Sequence, residues 1–152
     1  MTDDNGASST ETVTVTITGQ NDAPVALAVA AAADEDGPMI TISADFSDID
    51  TSDTHTFSVD TTGTLGTVTN NGDGTFSYDA TGAFETLAVG ETTTDTFTYT
   101  VDDGNGGTST ETVTVTITGA NDVATIAGTT TGMVDENSGA VSYTHLTLPT
   151  KA

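Results

Sequence analysis

The chain has 152 residues, 23 carboxylates against a single Lys or Arg, a formal net charge of −22 at neutral pH, and no cysteine. Nucleic acid and anionic membrane are excluded as partners because both repel so acidic a surface, and without cysteine there is no disulfide and no Cys-ligated zinc. Hydrophobic residues make up 34% of the chain and fall in blocks of Val, Ile, Phe and Tyr alternating with Thr, which predicts strands, not disorder.

The first element in chain order is a strand within residues 2–22. Aligned without a gap on residues 102–122 it agrees at 16 of 21 positions, and STETVTVTITG at 9–19 recurs at 109–119. Asp34-Glu35 likewise reappears as Asp135-Glu136. The repeat is therefore a whole domain, unlike solenoid units of about 20–50 residues that cannot bury a core alone. Residues 1–22 read as the last strand of a preceding unit, 23–122 as one complete unit and 123–140 as the start of a following one. Met1 aligns with Val101, a strand-interior position, as expected if a GTG valine codon has been taken for a start.

Within the complete unit, turn chemistry and period-two alternation predict seven strands, near residues 25–33, 39–46, 54–59, 65–69, 75–79, 95–101 and 110–118. Alternation puts Ile40, Ile42, Ala44 and Phe46 on one face, as it does Phe97, Tyr99 and Val101, and Val113, Val115 and Ile117. These faces form the expected core, with Thr on the solvated side. Asn70-Asn71-Gly72-Asp73-Gly74 predicts a hairpin. Seven short strands in about one hundred residues predict an all-β, immunoglobulin- or cadherin-like Greek-key sandwich. Beyond it, VSYTHLTLPT at 141–150 departs in composition and resembles a translated sequencing adapter, so residues 141–152 are expected to play no part in function. No apolar run is long enough to span a membrane as a helix, and no signal-peptide pattern is visible.

The segments Leu65-Gly66-Thr67-Val68-Thr69, Asp73-Gly74-Thr75-Phe76-Ser77-Tyr78, Leu87-Ala88-Val89-Gly90-Glu91-Thr92 and Asp95-Thr96-Phe97-Thr98-Tyr99-Thr100-Val101-Asp102-Asp103-Gly104 resemble the VCBS repeat, which is similar to the wider bacterial cadherin-like repeats. The resemblance covers residues 23–122 and both partial units. It implies a module of a large secreted or surface-attached bacterial adhesin, often exported by type I secretion, in which such modules form calcium-rigidified stalks.

Consecutive strands of such a sandwich run in opposite directions, so the connections alternate between two poles. The leading pole takes the linker before the first strand and the connections after the second, fourth and sixth. It gathers Asn21, Asp22, Asp48, Asp50, Asp53, Asp73, Asp102 and Asp103. The trailing pole gathers Asp34, Glu35, Asp36, Asp60, Glu85, Glu91, Asn121 and Asp122. Like charges converging this way call for a cation, and calcium fits best, because it accepts six to eight hard oxygen ligands in flexible geometry where magnesium is stricter. Similarity to the cadherins implies a ligand set. Asn21 and Asp22 resemble the calcium-binding linker, Asp48-Ile49-Asp50 the D-x-D loop and Glu35 the early glutamate. Glu91 is like the acid before the sixth strand, Asp102 the acid that ends it, and Asn121 and Asp122 the next linker. The family's Asp two positions before Asn21 and Asn121 is replaced by Gly19 and Gly119. The site near Asp22, Asp48 and Asp50 is expected to be the more complete. Asp in an isolated D-x-D is most often a solvated turn residue, and Asp79, Asp95, Glu11 and Glu111 read as ordinary solvated charges. An EF-hand is excluded, since counting from Asp48 places Asp53 where Gly is required and Val59 where Glu is required.

Three functions compete. A calcium-stabilised spacer, joined to neighbouring repeats through calcium-bridged linkers, uses all of these features. A calcium-dependent carbohydrate- or protein-binding adhesive module is the alternative, but Trp is absent and Phe76, Tyr78, Phe97 and Tyr99 lie at core parity. A two-carboxylate hydrolase has only abundant acids in its favour. His55 shares parity with Phe57 and Val59 and reads as a satisfied, buried side chain, and no P-loop, nucleophile elbow or HExxH motif occurs.

Overall fold

The computed structural model describes residues 4–122. Nine strands occur among them: β1 (Val25–Leu27), β2 (Val29–Asp34), β3 (Ile40–Ser43), β4 (Asp45–Ser47), β5 (Thr56–Asp60), β6 (Thr67–Asn70), β7 (Thr75–Asp79), β8 (Thr92–Asp102) and β9 (Thr108–Thr118). The seven expected strands become nine elements because the first two are each interrupted. The first breaks at Ala28, where the chain changes sheets. β1 pairs antiparallel with β4, and β2 then pairs parallel with β9. The second breaks at Ala44, whose amide donates to Gly74 O (2.8 Å) between the stretch facing β7 and the stretch facing β1.

The four-stranded sheet has the order β2-β9-β8-β5 and the three-stranded sheet β3-β7-β6. They pack face to face as a β-sandwich, with Phe76 of β7 edge-on to Phe97 of β8 at 5.8 Å between ring centroids. Strand parity places the core as the alternation requires: Phe76, Tyr99, Val101, Val113, Val115 and Ile117 are wholly buried. Thr occupies the opposite positions, where a β-branched side chain suits an extended, solvated backbone. Phe84, from the turns between β7 and β8, closes the core at its edge.

One expectation fails inside this core. Asp95 is buried, not solvated. It shares the inward parity of Phe97, Tyr99 and Val101, and its carboxylate accepts hydrogen bonds from the amides of Leu65 (3.0 Å) and Gly66 (2.8 Å) and from the Tyr78 hydroxyl (2.8 Å). A carboxylate at core parity is tolerable only with such a full set of donors. Burial, and then the neighbouring carboxylate, push the Tyr78 phenol far up, so it remains a neutral donor. Tyr99 plays a related role for the small sheet. Its hydroxyl accepts from Leu27 N (3.2 Å) and lies within donating reach of Leu27 O (2.7 Å) and Asp45 O, tying β1 and β4 to β8. The start of a following repeat expected at 123–140, and the adapter-like residues 141–152, lie outside the described residues.

Candidate metal centres at the two poles

Pairing of Asp102 with both Thr56 and Thr108 fixes the leading pole, because it carries β8 to the start of β5 and of β9. The alternation that buries Val101 turns Asp103 inward and Asp102 outward. Asp103 is 1% exposed and stands with Asp48 and Asp53, one carboxylate oxygen from each lying within 4.8 Å of the others. The Asn21 side-chain amide donates to Asp103 Oδ2 (2.9 Å), while the Asn105 and Gly107 amides donate to Oδ1 (2.7 and 2.9 Å). The Asn21 bond leads the causes that hold Asp103 below the ordinary carboxylate range, against the opposing effect of burial. Gly107 is required by this packing, since a Cβ there would overlap Asp103 Oδ2 and lie 2.7 Å from Ala23 Cα.

Asp48 meets His55 Nε2 at 2.8 Å and accepts from the Asp50 amide (2.9 Å). The His55 contact leads the causes that lower the Asp48 pKa, with the nearby Asp103 carboxylate pulling the other way. His55, tilted against Phe46 with ring centroids 4.8 Å apart, is thus a partnered side chain, though half-buried where full burial was expected. Asp50 is not one of the three grouped carboxylates and accepts from the Asp22 amide (2.7 Å), which binds the linker to this loop. Asp102 accepts from its own turn at Gly104 N (2.7 Å). Of the residues singled out from sequence at this pole, the structure brings Asp48 into the cluster and Asn21 against it, engages Asp22 and Asp50 with each other, and leaves Asp102 outside. Asp53 and Asp103 complete the cluster.

At the trailing pole, Glu35 follows β2 and Asp122 follows β9, and the parallel pairing of these strands brings the two residues together. Glu35, Asp36 and Asp122 each present an oxygen within 4.8 Å of the others. Glu35 is 1% exposed. Its Oε1 accepts from Ala120 N (2.7 Å), whereas its buried Oε2 has no hydrogen-bond partner. Glu91 directs its carboxylate to the Ala88 amide (3.0 Å) and lies outside the group, while the Asn121 side-chain amide donates to Asp122 O (3.2 Å). Asp36 completes the group. The glycine in place of the family's linker Asp also has a physical reason. Gly119 donates to Glu91 O (2.8 Å) and accepts from Gly90 N (3.0 Å), and any Cβ would run into Ala88 O and the Leu87 side chain.

Each pole thus gathers three carboxylates, and the described residues contain no Lys or Arg. Hard oxygen donors of uniform negative charge suit a hard divalent cation, and a buried carboxylate oxygen without a donor is a ligand atom in waiting.

No curated protein matches the chain. Among solved structures, it is similar to a nucleoside hydrolase-related hypothetical protein from Saccharophagus degradans that is associated with carbohydrate metabolism, at 13% identity and a TM-score of 0.42 over 66% of this chain. The chain spans only 26% of that protein's length. The family model of the bacterial cadherin-like domain matches residues 21–119, a span that contains all nine strands and every clustered carboxylate except Asp122. The chain therefore belongs to the bacterial cadherin-like domain family.

Proposed function

We propose that this chain is a non-catalytic spacer of an extracellular, adhesion-type repeat array, in which calcium bound at the poles stiffens each module and its junctions with its neighbours. The observation that carries the reading is the buried Glu35 Oε2, which lacks a donor beside the carboxylates of Asp36 and Asp122. A calcium ion held by these oxygens, or at the other pole by Asp48, Asp53 and Asp103, would remove repulsion that no basic side chain can. Family membership supports the extracellular, adhesive setting. Within it, seven-strand Greek-key connectivity of the immunoglobulin type, passage through a type I secretion route and a role in biofilm attachment fit a stalk of tandem modules. Binding of a cell-surface or glycan ligand belongs in this reading to other parts of the parent protein. An adhesive module that holds sugar on an aromatic platform fits poorly, because Phe76, Tyr78, Phe97 and Tyr99 are all buried.

Extracellular calcium modules have dissociation constants of about 0.1–1 mM. Calcium at tenfold to a hundredfold above that constant adds about 1.4–2.7 kcal/mol of stability. Thermal unfolding in calcium, in magnesium at equal ionic strength and in chelator separates specific binding from charge screening. Calcium is expected to raise the midpoint well above magnesium, with Glu35→Gln and Asp103→Asn each removing part of the increment. Equal stabilisation by magnesium or plain salt, or an unchanged calcium response in both variants, would rule the reading out.

A further inference from the structure

The strand β2 (VAAAAD) lies at the edge of the four-stranded sheet, with β9 on one side and no strand on the other. One bond fixes the phase of its backbone. Glu35 N donates to Thr118 O (3.0 Å), and the direction of the ladder groups alternates along a strand. Val29, Ala31 and Ala33 therefore direct their amides and carbonyls at β9, while Ala30, Ala32 and Asp34 direct their amides at the open edge. Such an edge is a template for another strand unless a lysine, a proline, a bulge or a covering segment blocks it. Among the described residues β2 has no such device. Its sole charge is the terminal Asp34, its residues have no positive φ, and towards β3 a cavity of about 320 Å³ lined by Ala33, Pro38 and Ile40 leaves the edge open. The other edge of the sheet differs, since the Asn70 side chain donates to Phe57 O of β5 (2.7 Å).

The edge is its own complement. Ala30 and Ala32 are exposed and too small to hold a neighbouring strand away. With two copies of β2 antiparallel and centred on Ala32, open groups meet open groups: each Ala32 exchanges both bonds with the second copy's Ala32, and each Asp34 amide donates to the second copy's Ala30 carbonyl. Charge selects the same direction. The two Asp34 residues then stand four residue steps apart, about 13 Å, beyond the screening length of about 8 Å at physiological salt. Parallel pairing would instead bring Asp34 beside Asp34 and both groups of Glu35, Asp36 and Asp122 to one end.

We propose that β2 is a docking edge for a second copy of this chain, the two strands pairing antiparallel about a two-fold axis at Ala32 to make one continuous sheet through both molecules. A two-fold contact closes at two copies. A single strand edge buries less than the 1,200–2,000 Å² or so of a stable interface, so the pairing of single chains is weak. Between arrays lying side by side, the same contact recurs at each module and adds through multivalency. That last step rests on the spacer reading above, whereas the pairing itself does not.

The test uses the full chain in chelator, so that calcium binding does not enter. The chain has no cysteine, and Ala30→Cys and Ala32→Cys each introduce one exposed thiol on the same strand. In the proposed register the two residues at 32 have Cα atoms about 5.5 Å apart, within the range of about 4.4–6.8 Å that a disulfide bridges. Those at 30 are about 13 Å apart. Under mild oxidation Ala32→Cys is expected to form the disulfide dimer about tenfold faster or more than Ala30→Cys, and faster still in salt, which screens the net charge of −22. Sedimentation equilibrium of the unaltered chain at millimolar concentration is expected to show monomer and dimer and nothing larger. Ala32→Pro removes an amide that points to the open edge, where proline is tolerated, and is expected to keep the fold and lose the dimer. Equal or reversed oxidation rates of the two thiols, an unaltered chain monomeric at every concentration and salt, or a folded Ala32→Pro that still dimerises overturns the proposal. If Ala32→Pro fails to fold, the comparison of the two thiols decides.

Discussion

Asp95→Ala is expected to be among the most damaging substitutions of a charged residue in this domain. The Tyr78 hydroxyl would lose its acceptor in a residue 1% exposed, and an unsatisfied buried hydroxyl costs about 1–3 kcal/mol. The amides of Leu65 and Gly66 would lose a charged acceptor as well. Such bonds are worth about 1.5–3 kcal/mol each, but Leu65 is 67% exposed and water replaces part of the loss there. The buried hydroxyl and the partly compensated amides together cost about 3–5 kcal/mol, against a total stability of about 5–15 kcal/mol. At about 4–8 °C per kcal/mol for a domain of this size, the melting temperature should fall by about 15 °C or more. Urea titration should show a lower midpoint with an unchanged slope. A double-mutant cycle with Tyr78→Phe isolates the contact, and the double variant should be less destabilised than the sum of the singles by at least about 1 kcal/mol. A loss within about 0.5 kcal/mol, as for a solvated charge, or strict additivity would refute the assignment.

Gly66→Ala should cost at least about 2 kcal/mol in the same assay, because its Cβ would stand 2.5 Å from the Tyr78 ring and displace it from Asp95. Tyr99→Phe should cost about 1–3 kcal/mol and speed hydrogen exchange at the Leu27 amide, which loses its acceptor. Asp103 is depressed in the folded state, so its contribution to stability is complete above the unfolded value near 3.9 and is lost as pH falls through the lower folded value. Titration followed by NMR should place it below an ordinary Asp, and Asn21→Ala should move it upward. Calcium added at pH 7 should perturb the backbone resonances of Asp48, Asp53 and Asp103 more than those of Asp50 or Asp102, and an equal response across all five would separate the ion from the cluster.

Strand parity made the core legible, since Phe97, Tyr99, Val101, Val113, Val115 and Ile117 follow from alternation alone. The same parity, continued one step in either direction along β8, also marks Asp95 and Asp103 as inward. Reading the acids by residue type and loop membership hid this and favoured Asp102. The sheet change at Ala28 was not legible, because an alanine-rich edge carries no pattern that distinguishes an antiparallel neighbour from a parallel one. The clusters were legible to the level of the pole. Which carboxylates converge depends on turn geometry, as where Asp50 is held by the Asp22 amide and Glu91 by the Ala88 amide while Asp53 and Asp36 reach the clusters.

The crossing of the first strand from β4 to β9 governs how the module meets tension. The chain enters β1 at one end of the domain and leaves β9 at the other, and β2 runs parallel to β9 over six residue pairs. A pull on the two ends slides these strands past each other along their length, so the ladder's bonds are loaded together instead of opening one by one from an end. Resistance to such shear scales with the number of bonds that must break at once, and it is set by backbone pairing that the alanine side chains of β2 leave undisturbed. A strand with little to contribute to the hydrophobic core is in this way the element that bears the force.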